Sequence, residues 1–446
     1  MKRVRKNPSA RISKDAEQLL QITSDAFDSG CRVEDRYWSQ QLETLATELL
    51  NAGNDGAVEM ALDVSFEKAP EAHDLLAESV EAVSETYYFN VLDQPHQALL
   101  VSVPMIVWSK YSMAAGHLKP ADVAAIHQHL RDFIFAVESR SIVNPFLYSI
   151  DHLPQSFSET RKLLQHMANA IVGDTTLATK EIKVEAIDMP ADTRMLLSVV
   201  VVPVDKPLFR WQESSASAQI AGKAASKAAS KALGKAPEKA LLKTALKAAA
   251  KSKASLSSTL SKAVAANNIV LNRTECLMLW AKHAKPDLAK LIPGASLELG
   301  LPDAFFRSCR ECDRRVRPYM VSSAVEHLEA ALSTSASQLH AIIAGVGEAQ
   351  VDEYRVAFAL KDSGEVVNGM IWPLVAQEDD DANPGPREQI EAILKASNVG
   401  KITKLPGVLP PEFCEDCGAP LFYDADAEAV HPHMPDDSNL TPAHYH

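Results

Sequence analysis

Two cysteines, Cys414 and Cys417, lie in Phe413-Cys-Glu-Asp-Cys-Gly418-Ala-Pro-Leu-Phe422, where their thiolates can hold one metal ion. Gly418 follows at once and lets the backbone turn tightly beneath the sulfurs. Val430-His431-Pro-His433 comes next, giving Cys-x2-Cys-x13-His-x-His. Zinc takes four N or S ligands in a tetrahedron, so Cys414, Cys417, His431 and His433 are the candidate ligands of a structural zinc. His-x-His is tighter than the usual zinc spacing, but side chains two apart on an extended segment point to the same side. The plainer alternative is a pair of ordinary thiols beside a His-rich tail that also carries His444 and His446. A thioredoxin-like redox site fits poorly, because the pair does not open a helix after a strand.

The other chemical candidates read as structural. In Cys309-Arg-Glu-Cys312, the residues Phe305, Cys309, Cys312 and Val316 follow a 4-3-4 spacing on one helix face. Free cysteine there is a small buried hydrophobe rather than a ligand. Gly345-Val-Gly347 lacks the third glycine of a nucleotide-binding turn and reads as a plain turn. His127 and His129, two apart on a predicted helix, diverge. Asp151-His152 sits at a strand end, a place that hosts active sites in α/β folds, but exposed loop polarity explains it as well. The chain has no Gly-x-Ser-x-Gly elbow, no phosphate-binding Gly-x4-Gly-Lys-Ser/Thr loop and no His-Glu-x-x-His.

These residues need a large scaffold. At 446 residues the chain exceeds one core, and 46% hydrophobic with 23% charged residues is ordinary globular composition. No apolar run approaches a membrane span, and the basic start Met-Lys-Arg-Val-Arg-Lys has no apolar stretch after it. A cytoplasmic location is expected, and the six cysteines do not suggest a secreted disulfide framework. The net charge of −13 is uneven: residues 221–262 hold ten Lys and one Glu, so they carry +9 and the remainder −22. An acidic body argues against general nucleic-acid or membrane affinity.

Periodicity predicts an α/β (or α+β) chain in five parts. Residues 1–92 form a helical cap, with Trp38, Leu42, Leu45 and Leu49 on one stripe and Leu76, Val80 and Val83 on another. A first α/β lobe spans 93–212. Its strands are Ala98–Trp108, with Pro104 marking an edge or bulge, Ile142–Ile150, and Met195–Val202, apolar enough to be buried on both faces. Its helices are 119–137 and Gln155–Ile171. Residues 213–266 form an Ala/Lys-rich linker, with Lys at every fourth position from 223 to 251 spiralling around any helix formed. That suits a solvated spacer better than a DNA-coating arm. A second lobe spans 267–406, and a Cys/His tail spans 407–446. Two local resemblances suggest that the lobes are related by duplication. One pairs Tyr148-Ser-Ile-Asp-His-Leu153-Pro154-x-x-Phe157 with Leu297-Glu-Leu-Gly-Leu301-Pro302-x-x-Phe305. The other pairs Asp192-Thr-Arg-Met with Asp352-Glu-Tyr-Arg.

Four segments carry a family resemblance: Ser13-Lys-Asp-Ala-Glu-Gln-Leu-Leu, Asp28-Ser-Gly-x-Arg32-x-Glu-Asp-Arg36-Tyr-Trp38, Leu301-Pro-Asp-Ala-Phe305 and the Phe413–Phe422 motif. Over nearly the whole chain except the Ala/Lys insert, it resembles a family of soluble bacterial proteins defined only as a domain of unknown function. The resemblance implies one shared architecture and a cytosolic location, and carries no activity or catalytic residue. The reading is a non-catalytic binding or regulatory protein with a structural zinc and an inter-lobe surface for a protein partner. The rivals are an enzyme with dispersed residues in an inter-lobe cleft, and a nucleic-acid-associated protein using 221–262.

Overall fold

The computed structural model describes residues 12–108, 116–175, 177, 191–213, 271–348, 350–374 and 384–435. The Ala/Lys segment, His444 and His446 lie outside them. The chain is mixed α/β.

Four helices open it: α1 Lys14–Phe27, α2 Arg32–Ala52, α3 Asp55–Lys68 and α4 Pro70–Glu85. Ser13 caps α1 by accepting from the Ala16 N–H, Gly53 ends α2 with φ 72°, and Pro70 occupies the first turn of α4. Leu42, Leu49, Leu76, Val80 and Val83 meet in one core, while Trp38 is only partly buried and does not join it. Polar side chains tie this bundle to the body. Asp55 accepts from the Ser158 N–H at 2.9 Å, and Arg161 donates to Asn51 Oδ1 at 2.8 Å.

The body begins with β1 Thr86–Val91, β2 Gln94–Trp108, β3 Gly116–His117, α5 Pro120–Phe133, β4 Arg140–Ser149, α6 Phe157–Gly173 and β5 Ala191–Pro203. Then follow α7 Arg273–Ala289, β6 Ser296–Leu299, β7 Asp303–Ala304 and α8 Phe305–Ala331. The seven strands make one antiparallel sheet in the order β1-β2-β5-β4-β3, with β6 and β7 also on β2. Alternation along β2 sends Val101, Val103 and Met105 towards α5 and α7, and Leu100 and Ile106 towards α6 and α8. Helices on both faces explain the unbroken apolar run of β5.

Pro104 is not on an edge strand. It sits in β2 opposite the break between β7 and β6, where no backbone N–H is required. The Gly300 N–H donates to the Pro104 carbonyl at 2.8 Å, and a Cβ on Gly300 would come within 2.5 Å of the proline ring.

The second sheet follows: β8 Leu339–Val346, β9 Glu353–Leu360, β10 Val366–Pro373, α9 Pro386–Ala396 and β11 Lys401–Leu409, in the order β10-β9-β8-β11. Only β8 and β11 are parallel among its pairs. Gly364, at φ 73°, closes the β9–β10 turn. Helix α8 runs unbroken through Pro318 and joins the two sheets. Phe305, Cys312 and Val316 pack under the first, and Val321, Val325 and Leu328 under the second.

This arrangement moves the expected boundary at 266/267. Helix α7, strands β6 and β7 and the first half of α8 all belong to the first sheet, because they complete the second edge and both faces of β2. The two Leu-Pro motifs therefore precede α6 and α8, neighbours on one face of one sheet, with Phe157 and Phe306 in ring contact. They do not divide one to each lobe.

The Ala/Lys segment likewise leaves and returns on one lobe. Trp211 packs against the core shared with α7, and the Arg273 guanidinium lies 5.7 Å from the Trp211 ring centroid. Replacing 221–262 by a short flexible linker should therefore leave the melting midpoint within about 2 °C. Any nucleic-acid retention at low salt should disappear with the lysines. Melting curves and a salt titration of the full-length and shortened chains check this. A large stability loss would mean that the segment completes a core.

Candidate metal centre

After β11 the chain forms a tight knuckle and a small hairpin, β12 Phe422–Tyr423 with β13 Ala429–Val430. Backbone bonds shape the knuckle. The Cys414 N–H donates to the Ala419 carbonyl at 2.8 Å, and the Gly418 N–H to the Cys414 carbonyl at 2.9 Å. Gly418 adopts φ 73°, the left-handed turn that glycine takes most readily. The base is closed by the Leu421 N–H donating to the Glu412 carbonyl at 3.0 Å.

This geometry brings Cys414, Cys417 and His431 together, with their ligand atoms all within 4.8 Å of one another. Cys417 Sγ and His431 Nε2 are 3.4 Å apart. A tetrahedral zinc with ordinary bond lengths places its S and N ligands roughly 3.5–3.8 Å apart, close to the Cys417–His431 separation. His431 Nδ1 is 2.9 Å from the Pro432 carbonyl, which orients the ring and leaves Nε2 towards the sulfurs. The backbone N–H groups of Cys417 and Asp416 lower the Cys414 thiol below its ordinary value, favouring the thiolate a metal needs.

His433 is not in this trio. Its backbone N–H donates to the Val366 carbonyl at 3.0 Å, so by this point the chain has left the hairpin and docked on β10.

The knuckle is positioned by residues that spacing alone did not single out. Arg355 on β9 is 1% exposed and donates to Glu353 Oε1 at 2.8 Å. Its guanidinium also donates to the Glu412 carbonyl at 2.7 Å and to the Leu421 carbonyl. It lies 5.3 Å from the centroid of the Phe413 ring. One buried cation thus grips both feet of the knuckle. The hairpin packs by Phe422 and Tyr423 on the face formed by Ile342, Ala344, Ala357, Ala359 and Leu405. Gly369 completes that seat, since a Cβ there would lie 2.5 Å from the Phe422 ring. A glycine inside a strand was the available sequence signal.

Cys309 and Cys312 pack as the helix stripe predicts. Cys312 is buried and Cys309 partly buried, in the cluster with Phe305 and Val316. Burial drives both thiols upward, Cys312 to about 12, so they stay protonated near neutrality. Cys309→Ala with Cys312→Ala should retain any bound metal and cost about 1–3 kcal/mol of stability. Metal analysis and denaturant unfolding of the double variant check this, and loss of metal would overturn it.

The remaining candidates each serve a local bond. His127 Nε2 meets Ser141 Oγ at 2.9 Å, and its pKa is lowered first by burial and then by Arg131. His129 Nε2 pairs with Asp287 Oδ2 at 2.9 Å and joins α5 to α7. His152 Nδ1 meets Ser149 Oγ at 2.7 Å, and Asp151 is exposed. Gly347 forms the turn after β8, where a Cβ would lie 1.8 Å from the Gln350 carbonyl oxygen. No helix among the described residues is long and apolar enough to cross a membrane.

Fold and site together define a mixed α/β protein with a Cys2His group near its C-terminus that could hold a metal ion. The chain belongs to the family described as protein of unknown function DUF2863, whose profile matches residues 4–250 and 258–445. Contrary to the expectation that the Ala/Lys insert stands outside the family pattern, the matches cover most of it and leave out only residues 251–257. No curated protein and no solved structure matches the chain.

Proposed function

We propose that the protein is a non-catalytic binding or regulatory protein whose C-terminal knuckle holds a structural zinc ion. The observation carrying this reading is the convergence of Cys414, Cys417 and His431 within 4.8 Å at the foot of a hairpin docked to the second sheet. Two thiolates and an imidazole suit zinc, whereas magnesium and calcium take oxygen ligands. A structural rather than catalytic role is supported by where the other titratable groups stand. The ion pairs His129–Asp287 and Glu81–Arg310, and the Ser158 hydroxyl donating to Asp55, each join two elements of the fold. In this reading the partner meets the waist where α8 leaves the first sheet. There Trp108 stacks on Tyr319 with ring centroids 4.4 Å apart, beside Arg315 and Glu298. Partly buried aromatics next to arginine are the chemistry of interface anchors.

One equivalent of zinc per chain is expected after purification without chelators. Cys414→Ser should lower the bound zinc and loosen the tail locally. A native protein that neither carries nor takes up zinc, or full retention of zinc by Cys414→Ser, overturns the reading.

A further inference from the structure

The hairpin that carries His431 is held by very little of its own. Its ladder has two residue pairs, Phe422 with Val430 and Tyr423 with Ala429. Two-stranded hairpins are at best marginal in water, even when longer than this. Yet the hairpin covers an apolar face of the second sheet, made of Ile342, Ala344, Val346, Ala357, Ala359 and Val366. Three tethers keep it there. Arg355 holds the feet of the knuckle, the Tyr423 hydroxyl donates to the Pro410 carbonyl, and the His433 N–H donates to the Val366 carbonyl. Two of the candidate ligands lie before the hairpin and the third directly after β13, so one ion would tie its two ends together.

We propose, building on the zinc reading above, that the metal is a latch. With metal bound the tail stays seated on the second sheet. Without metal residues 422–433 lift away and uncover the apolar face around Gly369. The uncovered surface is a trough floored by Ala344, Ala357, Ala359 and Gly369, in which the ring of Phe422 now sits. The chain's own tail is the occupant of that trough, and metal availability decides whether it stays. The physical reason is loop closure. Joining Cys414 and Cys417 to His431 removes much of the freedom of the intervening chain, which a two-pair ladder cannot do alone.

The test is hydrogen exchange with mass spectrometry on the full chain, zinc-loaded and chelator-treated, with metal content read on the same samples. Removing zinc should raise exchange rates at least tenfold in 422–433 and in 366–372, and leave β5 unchanged. Cys417→Ser should show the same exposed pattern without chelator, in step with its loss of zinc. Unchanged protection in demonstrably metal-free protein overturns the latch, and so does loss of protection that extends to β5. A chain that takes up no zinc overturns the zinc reading itself and the latch with it, and the metal measurement distinguishes that failure from the others.

Discussion

Arg355→Met should lower the stability of the C-terminal lobe by about 3 kcal/mol and weaken the hold on any metal the knuckle binds. Methionine keeps much of the side-chain volume, so the loss comes from charge and hydrogen bonding. The guanidinium is almost fully buried and pairs with Glu353, whose side chain is 25% exposed. Removing it leaves that carboxylate without its cation and strips a donor from the carbonyls of Glu412 and Leu421. Arg355→Lys should fall between, because an ammonium restores the charge but not the fixed fork that places Nε on Glu353 and Nη1 on both carbonyls. Denaturant midpoints for the three proteins, with any bound metal measured on each, check the order. A methionine variant within about 0.5 kcal/mol of the parent would show that the knuckle is held elsewhere.

Glu85→Gln should stabilise the protein above pH 7 and flatten its pH dependence below that. Glu85 lies at the end of α4 and accepts from the Phe306 N–H at 3.0 Å, where α8 begins. Burial pushes its carboxyl from 4.5 to about 7. The Phe306 N–H opposes that rise, Glu81 adds to it, Arg310 opposes it, and Asp303 adds to it. The folded chain therefore holds a proton that the unfolded chain has released. This favours folding below about pH 4.5, and the benefit is lost as pH rises from there to about 7. The full difference amounts to about 3 kcal/mol. Glutamine keeps the acceptor for Phe306 and removes the charge. Unfolding midpoints of both proteins from pH 5 to 8 should converge at the acid end and separate towards pH 8. Parallel curves would show that Glu85 is not the group responsible.

Much of this protein is legible from residue order. The helices follow apolar spacing, as with Leu42 and Leu49 of α2 and Leu76, Val80 and Val83 of α4, which meet in one core. The both-face burial of β5 follows from its unbroken apolar run, and the β9–β10 turn from Gly364. The knuckle is legible too, because Cys-x-x-Cys-Gly is a local device whose geometry depends on a handful of consecutive residues. Three things are not. The return of α7, β6 and β7 to the first sheet depends on which open edge of β2 they pair with, a contact far apart in sequence. The choice of His431 over His433 depends on where the chain leaves the hairpin to bond Val366. The role of Arg355 depends on two sheet-distant carbonyls arriving at one buried guanidinium. Spacing along the chain determines local shape and the chemistry a segment could perform. Which strand edges meet, and which buried charge finds its partners, is decided only when distant segments compete for the same surface.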